Sequence, residues 1–349
     1  MKFGTAIESL GVYLPEEILT TQAIEDRLNL SMPLKLEFLS GIKERRRCSP
    51  VEDCLTLASN AATDCMRYST YTPAEIEMVI FCSISKYVGG LKHIYEPAIS
   101  VLLREQLGCY RATCFDLSNA CAGMLTGVHV GSDFIERGVV KNCLVVSGEY
   151  ITSLTENAIE NITTRLSPEV ASLTLGDSGA AILLSRTIPG MNCIEASRFI
   201  TLGCYSELCM ANQSKTQSGG VMQTQMKEIH EVSIQHAPRI IEEALSEASL
   251  TLDQIDFLIP HQTSKLAISA GEKHFADYFG SMARHVVNNL DKVGNTASTS
   301  HILALYRLLH EKQLRKGDRV MLLSFASGLV IGVVIVTIEH LLDQYGRNH

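Results

Sequence analysis

The amino-acid sequence predicts an α/β protein made of two similar halves. Residues 71–80 (YTPAEIEMVI) match residues 250–259 (LTLDQIDFLI), and each segment follows an amphipathic stretch and leads into a short apolar strand. A second match pairs the run that starts at Cys121 with the run that starts at Ala297. Both matches alternate helices and buried strands in the same order, which is typical of parallel α/β layers. The repeated order indicates an internal duplication.

The two halves are expected to meet close to Pro189 and Gly190, because this pair favours a turn. We therefore place the N-terminal half at residues 1–187 and the C-terminal half at residues 188–349. Each half is then long enough to form its own sheet with covering helices.

Two irregular stretches, residues 151–172 and 201–227, are expected to be insertions over a functional site. The second stretch is rich in Gln, Ser, Thr and Gly, so it is predicted to be a mobile loop or lid. A third segment, residues 320–338, has no charged residue and is long enough to span a bilayer. Its β-branched residues and interrupting glycines instead predict two buried strands joined by a tight turn, and no membrane span.

The composition excludes several classes of function. With 46% hydrophobic and 19% charged residues, the 349-residue chain can bury a large core. Its net charge of -8 provides no broad basic surface for nucleic acid. The eleven cysteines include no CxxC pair, so reduced thiols are expected and a metal site is not. Reduced thiols, together with an N-terminus that lacks an apolar signal stretch, predict a cytoplasmic protein.

The first candidate for chemistry is Cys121, in the segment LSNACAGM. A strand is predicted to end near Leu117 and a helix to begin at about Cys121, with small residues around the sulfur. The N–H groups and dipole of a helix N-terminus favour a thiolate, which is the nucleophile that thioester exchange needs. A single cysteine in such a place is more often structural, so its assignment depends on its partners.

Two polar residues of the C-terminal half are the candidate partners. His261 follows an apolar strand, and ligands of doubly wound sheets bind at such strand ends. Asn295 lies in a glycine turn that leads into a helix. Each residue alone would be explained as a core histidine or a helix cap. The duplication changes this, because it places Cys121 and Asn295 at equivalent turns and His261 at the same seam.

These segments resemble the catalytic signatures of the β-ketoacyl-[acyl-carrier-protein] synthase III family. Cys121 lies in NACAG, His261 in IPHQ and Asn295 in GNT. Further matches follow in the family's order: GVYLP at 11–15, GIKERR at 41–46, GDSGAA at 176–181 and FASG at 325–328. The resemblance covers nearly the whole chain.

The resemblance implies a thiolase-like fold, with duplicated α/β halves in a five-layered αβαβα arrangement, and a homodimer. It also implies that Cys121 takes an acyl group from a coenzyme A or acyl-carrier-protein thioester, with no further cofactor. The backbone N–H groups of Cys121 and Ser327 would hold the oxyanion. His261 and Asn295 would stabilise the enolate of a second thioester, which usually forms by decarboxylation of a malonyl group.

The substrate-binding positions depart from the family pattern. Members that use coenzyme A commonly have a tryptophan and an arginine shortly before the Gly-Ile-x-x-Arg motif, where this chain has Lys35 and Leu39. The asparagine that contacts the pantetheine arm is Ser264 here. Arg45 and Arg46 remain as substrate-binding candidates, in a basic cluster that can meet phosphates or an acidic carrier protein. A carrier-protein thioester, or a differently held coenzyme A, is therefore expected.

Glu96 stands where the family usually has a phenylalanine that enters the acyl pocket of the partner subunit. A carboxylate in an apolar pocket is costly unless it has a role, and burial would raise its pKa toward that of a general base. In this respect the chain resembles the relatives that join two fatty acyl chains for olefin synthesis and those that make pyrones and dialkylresorcinols. The alternative is a surface glutamate in the first turn of a helix.

Three functions are compatible with these residues. The first is a ketosynthase that condenses two thioesters, with or without Glu96 as a base in the opposite subunit. The second is an acyltransferase of the same fold that moves the acyl group from Cys121 to oxygen or nitrogen. The third is an inactive scaffold partner of a homologous ketosynthase. The presence of Asn295 favours condensation, because an enolate needs stabilisation.

Overall fold

The computed structural model describes residues 3–31, 33–187, 194–339 and 341–345. The strands in these ranges are β1 (Thr5–Tyr13), β2 (Glu17–Thr20), β3 (Glu44–Arg47), β4 (Met78–Phe81), β5 (Thr113–Asp116), β6 (Asn142–Glu149), β7 (Ser178–Arg186), β8 (Ile194–Thr201), β9 (Cys209–Gln213), β10 (Gly220–Thr224), β11 (Phe257–Pro260), β12 (His285–Val286), β13 (Arg319–Ala326) and β14 (Val330–Thr337). The helices are α1 (Thr21–Glu25), α2 (Leu36–Ser40), α3 (Cys54–Arg67), α4 (Ile99–Leu107), α5 (Gly123–Glu136), α6 (Thr152–Asn161), α7 (Met226–Ala248), α8 (Lys265–Phe279), α9 (Leu290–Val293), α10 (Ser300–His310) and α11 (Leu341–Tyr345).

Two sheets of five strands have the same topology. The first has the order β1-β7-β6-β4-β5 and the second has the order β8-β14-β13-β11-β12. In both sheets the first three strands pair antiparallel, and the last three pair parallel. The internal duplication predicted from the sequence is therefore present. All strands of the first sheet precede residue 187 and all strands of the second follow residue 193, while Pro189 and Gly190 lie outside the described residues.

The sheets and helices form five layers, which confirms the predicted αβαβα arrangement. Helices α5 and α10 pack between the two sheets, and their apolar faces join the largest core cluster. Helices α3 and α4 cover the outer face of the first sheet. Helices α7 and α8 cover the outer face of the second sheet. The continuous apolar runs of the central strands follow from this, because each of them is covered on both faces.

Both predicted insertions have regular structure. The stretch 151–172 forms α6 and the beginning of a 3-10 turn. The stretch 201–227 contains the antiparallel hairpin β9–β10. Asn157 of α6 donates hydrogen bonds to the carbonyls of Ser218 and Gly220, both at 2.9 Å. The polar residues of this stretch thus lie in and around a hairpin that is hydrogen-bonded to α6. The sequence had predicted a mobile loop or lid here.

The apolar segment 320–338 forms strands β13 and β14, which pair antiparallel around a turn at Ser327 and Gly328. The prediction of two buried strands is confirmed. Over the ranges described above, none of the helices has the length and apolar character needed to cross a membrane.

Helix α3 lies unusually close to the first sheet. A side chain added at Gly179 of β7 would place its Cβ atom 2.1 Å from the carbonyl oxygen of Leu57. Such a contact forces the helix or the strand to move, because backbone atoms cannot give way as a flexible side chain does. The glycine therefore sets the spacing between these two layers.

We predict that Gly179→Ala lowers the free energy of unfolding by about 1–3 kcal/mol, the usual cost of overpacking a core. Gly203→Ala is the control, since nothing lies within 4 Å of its added Cβ atom. Urea unfolding of both variants measures the effect. Equal stability of the two variants would show that α3 is free to shift.

Candidate active site

Three residues predicted to carry the chemistry line one cavity between the two halves. Cys121, His261 and Asn295 contribute to a cavity of about 360 Å³, together with Ser264 and Ser327. This volume lies within the range of small-molecule sites. Most of the remaining wall is apolar and includes Ile84, Ile151, Leu154, Leu175, Met222, Ile229, Ile268 and Phe325. The cavity is therefore suited to an aliphatic group that ends at a few polar atoms.

Cys121 lies in a single 3-10 turn, Ala120–Ala122, that leads directly into α5. Ala120 has a φ of 45°, in the left-handed region that residues other than glycine rarely adopt. The C-terminal half has the same turn before α10, where Ala297 has a φ of 50°. Ala120 and Ala297 are thus structurally equivalent. The sequence match had paired Ala297 with Cys121, so it was shifted by one residue. Strained backbone of this kind is common at functional sites.

The environment of Cys121 favours a thiol over a thiolate. Burial raises the pKa of the Cys121 thiol above its usual range, and nearby Cys209 and Glu149 raise it further. The start of α5 acts in the opposite direction. The sequence-based expectation of a resting thiolate therefore has no support in this arrangement.

His261 follows the C-terminal end of β11, and its backbone N–H donates to the carbonyl of Leu323 at 2.8 Å. Its ring Nδ1 lies 3.2 Å from Oγ of Ser300, and among the residues that the structure describes Nε2 has no hydrogen-bond partner. Burial, followed by nearby His301, lowers the pKa of His261 to about 3, so the ring is neutral at physiological pH. The single proton of the Ser300 hydroxyl has two acceptors within reach, the carbonyl of Ala297 at 2.9 Å and Nδ1 of His261. When the hydroxyl donates to Nδ1, the proton of the ring is on Nε2, which can then act as a donor.

Asn295 is held by contacts with both halves. Its Oδ1 accepts the N–H of Ala297 at 3.0 Å. Its backbone N–H donates to Thr174 at 2.9 Å, and its carbonyl accepts the N–H of Gly176 at 3.0 Å. No partner for the amide Nδ2 occurs within the described part of the chain. Asn295 can therefore donate hydrogen bonds to an oxygen in the cavity.

The predicted oxyanion-hole residues reach the same cavity from different elements. Cys121 comes from the turn before α5, and Ser327 comes from the turn between β13 and β14. In that turn Gly328 has a φ of 127°, a conformation open to glycine alone. The convergence of the two N–H groups on one substrate oxygen remains a prediction.

Of the predicted substrate-binding residues, Ser264 lies on the cavity wall and Arg45 lies in the core. Ser264 lines the cavity and caps α8, because its Oγ accepts the N–H of Ala267 at 3.1 Å. Arg45 is fully buried, and its guanidinium donates to the carbonyl of Leu173 and to Oγ1 of Thr21. Burial lowers the pKa of Arg45 to about 10. Arg45 therefore braces the core, out of reach of a substrate, so its assignment to substrate binding is not supported.

Arg46 and Glu96 also lie away from the cavity wall of their own subunit. The Arg46 guanidinium lies within 3.4 Å of the carbonyls of Pro15 and Glu16. Glu96 is exposed and precedes α4 by three residues, so it is not in the first turn of that helix. Within one chain, the structure does not bring Glu96 together with Cys121.

A buried carboxyl group behind the cavity was not predicted from the sequence. Glu149 is fully buried at the end of β6 and accepts hydrogen bonds from the hydroxyls of Ser83, Ser147 and Ser298 and from the N–H of Ile84. Burial raises its pKa. Ser298 belongs to the C-terminal half, so Glu149 links the two halves beside the turn that holds Asn295. No local pattern could reveal it, because Ser83, Ile84 and Ser298 are far from Glu149 in the sequence.

Metal ligands do not come together in the described ranges: no group of three or more His, Cys, Asp or Glu side chains there could hold a metal ion.

Comparison with known proteins identifies the family. The family model of 3-oxoacyl-[acyl-carrier-protein (ACP)] synthase III matches residues 115–203, and the model of its C-terminal region matches residues 245–338. The first match contains Cys121, and the second contains His261, Asn295 and Ser327. Together they cover more than half of the chain.

Individual relatives match over almost their whole length. The β-ketoacyl-[acyl-carrier-protein] synthase III of Aquifex aeolicus is 26% identical over 334 residues, covering 95% of this chain and 99% of the relative. The enzyme of the same name from Symbiobacterium thermophilum is 28% identical over 337 residues, covering 94% and 96%.

Solved structures share the fold. The Aquifex aeolicus synthase III superposes with a TM-score of 0.81 at 24% identity, covering 96% of this chain and 100% of that chain. A glutamate-to-alanine variant of Xanthomonas campestris OleA superposes with a TM-score of 0.85 at 23% identity, covering 96% and 98%. From the fold, the site and the matching family models together, the chain belongs to the 3-oxoacyl-[acyl-carrier-protein] synthase III family of thiolase-fold condensing enzymes.

Proposed function

We propose that the protein is a ketosynthase that loads an acyl group onto Cys121 and condenses it with a second thioester. The observation that carries this proposal is the convergence of Cys121, His261 and Asn295 on one apolar cavity between the two halves. A thiol, a neutral imidazole and a free amide donor are the groups that a thioester condensation requires. The synthase III relatives named above support the same reaction.

The first step is thioester exchange. The sulfur of Cys121 attacks the carbonyl carbon of the incoming acyl thioester, and the bond between that carbon and the coenzyme A or carrier sulfur breaks. The thiol proton of Cys121 ends on the departing sulfur, so charge is balanced. The backbone N–H groups of Cys121 and Ser327 stabilise the oxyanion that forms between these two events.

The second step forms the carbon–carbon bond. An enolate of the second thioester attacks the acyl carbon on Cys121, and the Cys121 sulfur leaves and is protonated again. The Nδ2 group of Asn295 and the Nε2 group of His261 donate hydrogen bonds to the enolate oxygen. Because the cavity is apolar and buried, such fixed donors stabilise developing charge better than water does.

The enolate can arise by loss of carbon dioxide or by removal of a proton, and we propose the second route for this chain. Glu96 is the base, acting from the partner subunit of a homodimer. Strand β5 lies at the edge of the first sheet, close in sequence to the Glu96 loop, and an open edge favours pairing with a second copy. Tyr95, which is 81% exposed, adds a large apolar surface beside Glu96 that a partner would cover.

OleA structures share the fold of this chain at 22–23% identity. They include variants in which a glutamate is replaced by alanine or by glutamine. Another OleA variant was crystallised with lauric acid and lauroyl-CoA. A fatty acyl thioester is therefore our proposed substrate, carried by acyl carrier protein or by coenzyme A. No additional cofactor is proposed, and we place the reaction in the cytoplasm.

The two other candidate functions have less support. Transfer of the acyl group to oxygen or nitrogen would not need the amide donor that Asn295 presents to the cavity. An inactive scaffold would not need Cys121, His261 and Asn295 on one cavity wall. Neither alternative explains the hydrogen bonds that hold Asn295 with its Nδ2 group free.

We predict that Asn295→Ala and His261→Ala leave acylation of Cys121 largely intact but slow condensation, because both residues act on the enolate. Removal of one such donor typically costs about 2.7–4 kcal/mol of transition-state stabilisation. Intact-mass measurements of the acyl-enzyme and single-turnover assays separate the two steps. Cys121→Ala is the control that should not load at all. Equal loss of both steps in Asn295→Ala would favour the acyltransferase.

For Glu96→Gln, we predict normal dimerisation and Cys121 loading but a condensation rate lower by about 10²-fold, the usual contribution of a general base. Glu105→Gln, which changes an exposed glutamate of α4, is the matched control. Mixed dimers of Cys121→Ala and Glu96→Gln subunits should recover part of the activity, since one of their two sites has both residues. Verified mixed dimers without recovery would contradict action from the partner subunit.

A further inference from the structure

A second histidine lies directly behind the catalytic one. The rings of His261 and His301 are stacked, with their centroids 5.9 Å apart and their planes inclined by 23°. His301 is fully buried in the first turn of α10. It does not line the cavity, so it can influence the reaction only through its neighbour.

His301 also fixes the backbone that carries His261. Its Nε2 lies 3.0 Å from the carbonyl oxygen of Leu323, and this distance requires an N–H on Nε2 because a carbonyl only accepts. The same carbonyl accepts the backbone N–H of His261 at 2.8 Å. Leu323 therefore receives two hydrogen bonds, and α10 is tied to β13 at the residue that positions His261.

The residue before His301 completes this support. Ser300 holds the edge of the His261 ring through Nδ1, while His301 packs against its face. Two consecutive residues of α10 thus restrict both the direction and the tilt of the ring. The result is a ring that can turn neither its edge nor its plane without breaking a contact.

The presence of histidine at this position has a cost that an apolar residue would avoid. With the proton on Nε2, the Nδ1 atom of His301 is an acceptor, and this buried atom has no hydrogen-bond partner among the residues described. An unsatisfied buried polar atom destabilises the folded state. A leucine or phenylalanine would fill the space without that loss, so the Nε2–H group is the part of His301 that explains its presence.

We propose that His301 is a positioning residue for condensation, which holds the backbone and the ring of His261 so that Nε2 faces the cavity. The inference rests on the proposed condensing function, in which His261 acts on the enolate. A shift of the His261 ring weakens that donor, whereas attack by Cys121 on an acyl thioester is unaffected.

Three substitutions of His301 separate the effect of its N–H group from the effect of its size, and a fourth variant is the control. His301→Phe keeps a stacked ring and removes the donor, whereas His301→Gln keeps an amide N–H that can reach Leu323. His301→Asn has the same amide on a side chain one methylene shorter. His310→Phe, at the exposed end of α10, is the control for the same chemical change far from the site.

Lauroyl-CoA serves as the acyl donor, and condensation is followed in a single turnover after Cys121 has been loaded. We expect His301→Phe and His301→Asn to lower the condensation rate by about 10²-fold, the typical effect of a small misplacement of a catalytic group. Loading should stay within about threefold of wild type on the same argument, and His301→Gln should recover most of the lost rate. Wild-type rates in His301→Phe, or no advantage of Gln over Asn, would overturn the proposal.

Proton–nitrogen correlation spectra of the histidine rings provide a readout that does not depend on turnover. In the wild type, His261 should show one fixed neutral tautomer, and His301→Phe and His301→Asn should show exchange between tautomers. If wild-type protein forms no carbon–carbon bond with any thioester, the proposed function fails while these spectra still test the role of His301. A single unchanged His261 tautomer in both His301→Phe and His301→Asn would refute it.

Discussion

The constraint on which the site depends is the meeting of two helix starts in the central layer. Helices α5 and α10 are packed between the sheets, and each is preceded by a 3-10 turn whose first alanine adopts a left-handed conformation. The two turns contact each other. One of them carries Cys121, and the other leads from Asn295 to Ser300. Each half of the duplicated fold has a sharp turn before its central helix, and the two turns meet. The site therefore lies where the two halves are in contact.

Polar groups buried at this seam make the turns rigid. Glu149 joins serines of both halves, and Asp177 accepts hydrogen bonds from the N–H groups of Cys48, Ile151 and Thr152. Buried carboxyl groups are tolerated only when they are well satisfied, and a satisfied network specifies one arrangement strongly. The same burial that stabilises this arrangement raises the pKa of Cys121 and keeps His261 neutral. The proposed chemistry thus relies on hydrogen-bond donors in fixed positions, because Cys121 and His261 are both uncharged in this arrangement.

The sequence was sufficient to predict the duplicated α/β fold and the convergence of Cys121, His261 and Asn295, because strand patterns and turns are local signals. The sequence was not sufficient to predict which side chains are buried by residues that are distant in the chain. Arg45, expected to bind substrate, fills a core site whose partners come from residues 19–21 and Leu173. Glu149 and His301 gave no signal, since an isolated Glu or His looks the same exposed or buried. The role of Glu96 depends on a second subunit and stays a proposal.

The most direct test of the central claim is whether a new carbon–carbon bond forms at Cys121. The protein is loaded with a lauroyl group carrying ¹³C at its carbonyl, and a second thioester carrying ¹³C at its α-carbon is then added. Our account predicts a product in which the two labelled carbons show one-bond ¹³C–¹³C coupling, slower formation of it with Asn295→Ala and no such product with Cys121→Ala. Labels found only in uncoupled esters, amides or free fatty acid would contradict it.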